Sequence, residues 1–389
     1  MSVPPLGIFS LRNKADHSLR RSLLSHAFSQ GNLNDTTPLI LAGVDRLMKV
    51  VGESANQPLD VFEKFRLFAL DVVGELFLGA SFGALHDDQP PQFLADMDRH
   101  FLLSGIQANF PWIYELLWVI PLPSLRSFLG ARERMIDYGH SAYDDYLRRY
   151  GKNSGRKDLL TKILSHTSQS APMTERETYV EISNLVFAGT DTTSTTLTYL
   201  FWELTRHPTW QNRVREEFQQ SPITTQSSAA TLKRLFESPI LDAVVQEALR
   251  LHPAAPASLQ RIVPSGGATL SSFFVPQDTV VSMQCYTTHR DPEAFPNPEQ
   301  FDPSRWLVPD GATPEMKELF MPFSKGTRAC LGKGLAMMEL KLVTAGLLQR
   351  YEVTAPQETN SESMAMRDHF LVLPKDGRCN LQFAEVENP

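Results

Sequence analysis

Over roughly the first 250 positions, apolar residues return every three or four places, the period of a helix with one buried face. Segments 39–51 and 61–78 read as core helices, 93–103 as a shorter one and 125–150 as a long amphipathic helix. Residues 14–28 read as a short helix on which His17 and Arg21, four apart, share a face. Stretches 87–91 and 152–156 read as a loop and a polar turn. The longest pattern opens on Thr174-x-x-Glu177, which has the form of a capping box, and closes at His207-Pro208. The helix between them, at about 175–206, would be roughly 45–50 Å long, enough to cross the whole protein. A further helix at 240–251 ends at His252-Pro253.

Beyond that point the period shortens. Strands are predicted near 260–263, 269–270, 274–275 and 280–283, followed by an irregular, Pro-studded stretch at 291–314. A helix at 331–350 and strands near 352–354, 370–373 and 381–383 complete the chain. The expected fold class is therefore mainly α with small β-sheets. Residues 1–389 read as a single domain, with a helical part at 1–237 and a mixed part at 238–389.

Two segments depart from this pattern. The middle of the long helix reads Ala188-Gly189-Thr190-Asp191-Thr192-Thr193-Ser194-Thr195-Thr196, a run of mediocre helix formers. Either its hydroxyls bond back to the helix carbonyls, or the helix opens locally to handle a small polar ligand or a proton. The stretch 110–118 is unusually aromatic, which fits core packing, a ligand entrance or a membrane contact.

The 389 residues, 42% of them hydrophobic, are ample for a large core, and a net charge of -7 gives no sign of nucleic-acid binding. Three cysteines without a CxxC spacing argue for a reducing compartment and against a disulfide framework. The first residues carry no signal-peptide core, and the apolar stretch 110–125 is interrupted by Glu115, Pro121 and Pro123. The chain reads as soluble or peripherally bound.

The candidate chemistry centres on Phe323-Ser324-Lys325-Gly326-Thr327-Arg328-Ala329-Cys330-Leu331-Gly332. Cys330 stands where a loop feeds a helix N-terminus, so unpaired amides and Arg328 both favour a thiolate. Gly326 and Gly332 allow a tight loop around an anion. Taken alone, such a cysteine suits a nucleophile or a redox sensor equally.

Four motifs in order change that reading. Phe323-x-x-Gly326-x-Arg328-x-Cys330-x-Gly332, Glu247-x-x-Arg250, Asp302-Pro303-Ser304-Arg305-Trp306 and Ala188-Gly189-Thr190-Asp191-Thr192-Thr193 together resemble the cytochrome P-450 family, the haem-thiolate monooxygenases. Ser324 stands where many members have Gly, and the resemblance runs from Phe9 to about Phe383. It implies haem b with Cys330 as the iron ligand, Phe323 packed beside the sulfur, and Arg328, His17, Arg21 and Arg261 near the haem propionates. It places Asp191 and Thr192 over the distal face as a proton relay, with a kink at Gly189 making room for dioxygen. Glu247, Arg250 and Arg305 become a structural triad that holds the cysteine loop. Asn184, Phe187, Ala188, Pro256, Ala257, Ser258 and Leu259 become the lining of a mainly apolar substrate pocket.

The implied activity is oxidation of an apolar organic substrate by dioxygen. Electrons would come from NADPH through a flavoprotein reductase docking near Lys325 and Lys333, with cytochrome b5 as a further partner. Wording around 23–28 and 186–189 is most like filamentous-fungal members, which implies secondary-metabolite biosynthesis. The family also implies the cytosolic face of the endoplasmic reticulum. The block that members carry ahead of the propionate helix is not matched, so an N-terminally truncated fold is expected, with exposed strand edges near 269–283 and a pocket short of one wall. A non-catalytic haem protein, or a haem-thiolate isomerase or dehydratase, stands as the alternative.

Overall fold

The computed structural model of the protein describes residues 7–87, 91–152, 154–170, 173–219, 222–307 and 312–386. The expected loop at 87–91, turn at 152–156 and irregular stretch at 291–314 lie partly outside these. Helices α1 (Lys14–Ser25), α2 (Gln30–Glu53), α3 (Val61–Leu78), α4 (Gln92–Asn109), α5 (Pro111–Val119), α6 (Pro123–Leu129), α7 (Ala131–Tyr150) and α8 (Leu159–Ser170) lead to the long α9 (Glu175–Arg206). After it come α10 (Pro208–Phe218), α11 (Ala229–Phe236), α12 (Pro239–Leu251), α13 (Cys285–Thr288), α14 (Pro314–Leu319) and α15 (Lys333–Arg350).

The axis is α9, whose 32 residues span about 48 Å. Thr174 Oγ1 accepts from the Glu177 amide at 3.2 Å, and Glu177 Oε2 accepts from the Thr174 amide at 2.8 Å, so both orphan donors at its start are satisfied. Every residue from Thr193 to Leu204 is buried, with α3, α7, α12 and α15 packed around the helix. The α3 contact is close because Gly189 has no side chain: a Cβ there would lie 2.6 Å from Val73 Cγ1.

That contact corrects the expected kink. The helix runs unbroken through 188–196, and Gly189 serves the packing of α3. The hydroxyls bond back to the helix: Thr190 to Val186 O (2.8 Å), Thr192 to Ala188 O (2.7 Å), Thr196 to Thr192 O (2.9 Å) and Thr198 to Ser194 O (2.7 Å). Each satisfies its own polar hydrogen within the helix. Other boundaries move for local reasons. The segment read as 125–150 is two helices that part at Gly130, and α2 starts at Gln30 with Pro38 inside it. Helices α8, α10 and α11 are short amphipathic helices that the sequence reading did not single out.

The strands form small antiparallel sheets. One has the order β1-β9-β6, from Leu59–Asp60, Asn380–Glu385 and Tyr351–Thr354. The others are the pairs β2 (Ser258–Ile262) with β5 (Val280–Gln284), β3 (Ala268–Leu270) with β4 (Phe273–Val275), and β7 (Met366–His369) with β8 (Leu371–Pro374). The first two of these pairs leave Ile262, Leu270, Phe273, Phe274, Val280 and Met283 exposed, so their edges are open on this chain.

The α3–α9 contact predicts a change of sign. Gly189→Ala should destabilise the protein, because overpacking of about 1–3 kcal/mol exceeds the roughly 1 kcal/mol gained in helix propensity. With Val73→Ala in the same chain, Gly189→Ala should become neutral or stabilising. Denaturant unfolding of the four chains checks this; equal losses in both backgrounds would contradict it.

Candidate active site

The site is anchored by a buried charge network. Glu247 and Arg250, one turn apart on α12, are both fully buried. Arg250 Nε and Nη2 donate to the two Glu247 oxygens at 2.9 and 2.8 Å. Arg305 Nε (3.0 Å), Trp306 Nε1 (2.9 Å) and the Asp302 amide (2.9 Å) donate to the same carboxylate. Arg250 also donates to the carbonyls of His289, Pro298 and Gln300.

His289 carries this order towards the cysteine. Burial pulls its pKa down to about 4, so it is neutral. Nδ1 donates to Arg250 O at 3.0 Å, and Nε2 accepts from the Met321 amide at 2.8 Å. The Met321 carbonyl in turn accepts from Cys285 Sγ at 3.1 Å. From this fixed point the chain turns through Ser324 (φ 59°) and Gly326 (φ 71°), and the Cys330 amide donates to Phe323 O at 2.8 Å.

Cys330 is exposed. Even so, the surrounding protein removes enough water to raise its pKa, while the amides of Gly332 and Lys333 and the charges of Arg21 and Lys333 pull it back. Phe323 is partly buried beside it, with the Lys333 ammonium 5.9 Å from its ring centre. Arg21 Nη1 donates to Ala329 O at 2.7 Å, and Arg328 Nη1 donates to Leu11 O at 2.6 Å. Buried His17 has its pKa lowered by desolvation and by repulsion from Arg328 and Arg21. Among the described residues, none of His17, Arg21 and Arg328 forms a salt bridge with a carboxylate. Arg261 is apart from them, exposed on β2 with Nη1 donating to Gln260 O at 2.8 Å.

The middle of α9 has one face that other elements leave open. Asn184, Ala188 and Thr192 succeed one another every fourth residue; Ala188 is exposed and the other two are half-buried. Phe187 stacks on Phe101 of α4 (4.5 Å between ring centres), and Phe101 meets Phe370 of the β7–β8 turn (5.3 Å). Gly7 covers Asn184 so tightly that a Cβ would collide with it, and Phe9 reaches Phe370 at 6.0 Å. Gly7 to Phe9 therefore close part of the wall that was expected to be open. Val372 of β8 accepts from Thr195 Oγ1 and donates to Ala254 O, tying 254–259 to α9. In that segment Pro256 is buried, Ala257 and Ser258 are exposed, and Leu259 is half-buried. A separate recess of about 340 Å³, lined by Asp45, Met48, Thr224, Thr225, Gln226 and Arg350, includes none of these residues.

Asp191 is differently placed from Thr192. Its buried carboxylate is held by Arg66 of α3, with Nε at 2.6 Å. Arg66 was missed by the sequence reading, because it is one of several charged residues of α3, beside Glu63 and Lys64, and its partners lie far along the chain. His289, Phe101 and Phe370 were missed too, because nothing in their neighbours' spacing points to the elements they meet.

The comparisons decide the family. The family profile described as cytochrome P-450 matches residues 4–381. The chain belongs to the cytochrome P-450 family. It is 32% identical to the cytochrome P-450 monooxygenase tazI of Aspergillus terreus, over 96% of this chain and 77% of that protein. It is 29% identical to averantin hydroxylase of Dothistroma septosporum, over 95% of this chain and 69% of that protein. The fold matches the crystal structure of the cytochrome P450DA heme domain with a TM-score of 0.82 at 20% identity, covering 98% of this chain and 80% of that one.

The residues of this P-450 fit a haem. An iron needs an anionic donor, and Cys330 offers an exposed sulfur with two amides aimed at it. Propionates need cations and hydrogen-bond donors: among the described residues Arg21 and Arg328 lie beside the loop without carboxylate partners, and the His17 imidazole beside them can donate.

This P-450 also buries an acid that the motifs did not flag. Glu339 of α15 is 1% exposed, and neither carboxyl oxygen has a hydrogen-bond partner. Burial pushes its pKa up to about 8; Thr193 of α9 is the neighbour that opposes the shift, from beyond good hydrogen-bond geometry. A raised folded pKa contributes stability that is fully present below the unfolded value of 4.5 and is lost as pH rises through about 8. Relative to Glu339→Gln, the native chain should therefore lose stability between those limits, by about 1.4 kcal/mol per pH unit at most. Unfolding free energies of the two chains from pH 5 to 9 check this, and parallel curves would refute it.

Proposed function

We propose that this chain holds haem b through Cys330 and uses dioxygen to hydroxylate or otherwise oxidise an apolar organic substrate. Electrons would come from an NADPH-dependent flavoprotein reductase, with cytochrome b5 as an alternative donor. The observation that carries this reading is the cluster at Cys330: an exposed sulfur facing two helix-start amides, beside two arginines that have no carboxylate partner among the described residues. A thiolate-bound haem supplies dioxygen reduction and oxygen-atom transfer, the sulfur's electron density favouring O–O cleavage.

The protein's own part is positioning and proton handling. Arg21, Arg328 and His17 receive the propionates, and Phe323 keeps water from the sulfur. Arg261 would join them only by swinging from its present contact with Gln260. Thr192 already spends its hydroxyl hydrogen on Ala188 O, so its lone pairs are free to accept from a water on the open face of α9. Asp191, next in the chain, is the acid that carries the proton. Asn184, Phe187, Ala188 and 256–259, with Phe101 and Phe370, form the apolar wall that holds the substrate and excludes water. The named relatives, among them averantin hydroxylase, support a small organic substrate in fungal secondary metabolism.

A carbon-monoxide difference spectrum of the reduced chain tests the ligand. The chain should give a thiolate-type band, and Cys330→Ser should abolish it; survival of the band would reassign the ligand.

Among the described residues no helix is long and apolar enough to cross a membrane. Helix α5, however, buries none of its residues, and Phe110, Trp112, Leu116, Trp118, Val119 and Leu122 are all exposed around it. Aromatic residues of this kind seat a helix at a lipid surface, which supports peripheral contact with the endoplasmic reticulum membrane. Trp112→Ser with Trp118→Ser should lower partitioning onto phospholipid vesicles at least several-fold; unchanged partitioning in a co-sedimentation assay would sink the idea.

A further inference from the structure

Asp191 shares its guanidinium. Arg66 Nε donates to Asp191 Oδ1 at 2.6 Å and Nη2 to Oδ2 at 3.2 Å, while Nη1 donates to Asp98 Oδ2 at 3.1 Å and Nη2 also to Asp98 Oδ1. The two carboxylates come from different helices and sit in different surroundings. Asp191 on α9 has a side chain 7% exposed; that of Asp98 on α4 is 58% exposed. One cation therefore faces two anions, and the surplus negative charge bears on the buried one.

The groups acting on Asp191 are few. Burial favours its neutral form, Arg66 favours the carboxylate, and Asp98 pushes back towards neutral; among the described residues no other element presents a charge to it. The Asp98 contact is open to water and cheap to break, whereas the Arg66–Asp191 contact is enclosed and persists. We propose that Arg66 is a positioning residue acting through Asp191, and that the contact α4 makes with Arg66 through Asp98 sets how readily Asp191 holds a proton. With Asp98 docked, Asp191 is repelled towards its neutral form. With α4 drawn back, Arg66 belongs to Asp191 alone and keeps it ionised.

The occupant of the pocket would be felt through the same helix. Phe101, three residues after Asp98 and so on the same side of α4, packs on Phe187 of α9 at 4.5 Å, and His100 lies 5.9 Å from the same ring. A molecule that displaced Phe101 from Phe187 would shift the stretch of α4 that also carries Asp98. The inference rests on reading Asp191 as the proton-carrying acid.

The test separates the two claims. In the haem-loaded chain, infrared titration of the carboxyl band that Asp191→Asn removes reports the protonation of Asp191 directly. Arg66→Gln should raise its midpoint and Asp98→Asn should lower it, each by about one pH unit. Arg66→Lys, which keeps the charge without the two-pronged grip, gives a smaller rise and serves if Arg66→Gln does not fold. Dioxygen consumption driven by NADPH and a flavoprotein reductase should show its acidic limb moving in the same two directions. A role in stability alone would not produce opposite shifts. An unmoved midpoint in Asp98→Asn, or a shift in the same direction as Arg66→Gln, overturns the inference. Opposite infrared shifts with a wild-type pH profile in Asp191→Asn would instead overturn the proton-carrying reading, and with it the positioning role.

Discussion

Complete satisfaction of one buried cation organises the mixed half of the chain. A guanidinium has five N–H donors in a fixed plane, and Arg250 places all five: two on Glu247 and one each on the carbonyls of His289, Pro298 and Gln300. Losing any of these acceptors would leave part of a charge unsolvated in the core. The acceptors come from α12 and from three points of a stretch with almost no regular structure. That stretch keeps one conformation because the charge requires it. Glu247 completes the knot by accepting from Arg305, Trp306 and the Asp302 amide.

The knot reaches the chemistry through His289. A protonated imidazole could not accept from the Met321 amide, so the neutral form is part of the structure, and burial secures it. Met321 is held at its amide by His289 and at its carbonyl by Cys285. The cysteine loop therefore leaves a fixed point before it turns, and its tolerance of Ser324 at positive φ follows from that restraint at its start.

What the sequence could show was whatever depends on local spacing. The capping box, the stop at His207-Pro208 and the i,i+3 pair of Glu247 with Arg250 are relations within one turn, and they stand in the structure where spacing put them. The amides beside Cys330 are equally local, since a loop entering a helix presents them. Residues whose partners lie far along the chain were illegible. Arg66 and Asp191 are 125 positions apart, and Phe101 meets Phe370 through a turn that no period announces. The kink expected at Gly189 failed for the same reason. A glycine's spacing does not show which neighbour approaches it, and here the neighbour is Val73.

Long-range pairing also explains how α9 can carry acids through a dry core. Glu181 meets Arg20 of α1 at 2.7 Å and Asp191 meets Arg66 of α3 at 2.6 Å, while Glu203 meets Arg206 of its own helix at 3.2 Å and accepts from His252 Nε2 at 2.8 Å. For these three acids the cations come from α1, from α3 and from α9 itself, and the residue that closes α12 adds a hydrogen bond. Glu339 has no such partner, and it comes to α9 from α15, the helix that begins just after Cys330. With no cation to hold a charge there, the neutral form is the one that burial leaves. Burial raises the pKa of both acids nearest Thr192 and Thr193, but Asp191 has a guanidinium that opposes the shift, and Glu339, among the described residues, has none. Which acid at the centre of α9 can hold a charge is decided by which of them met a cation when the helices packed.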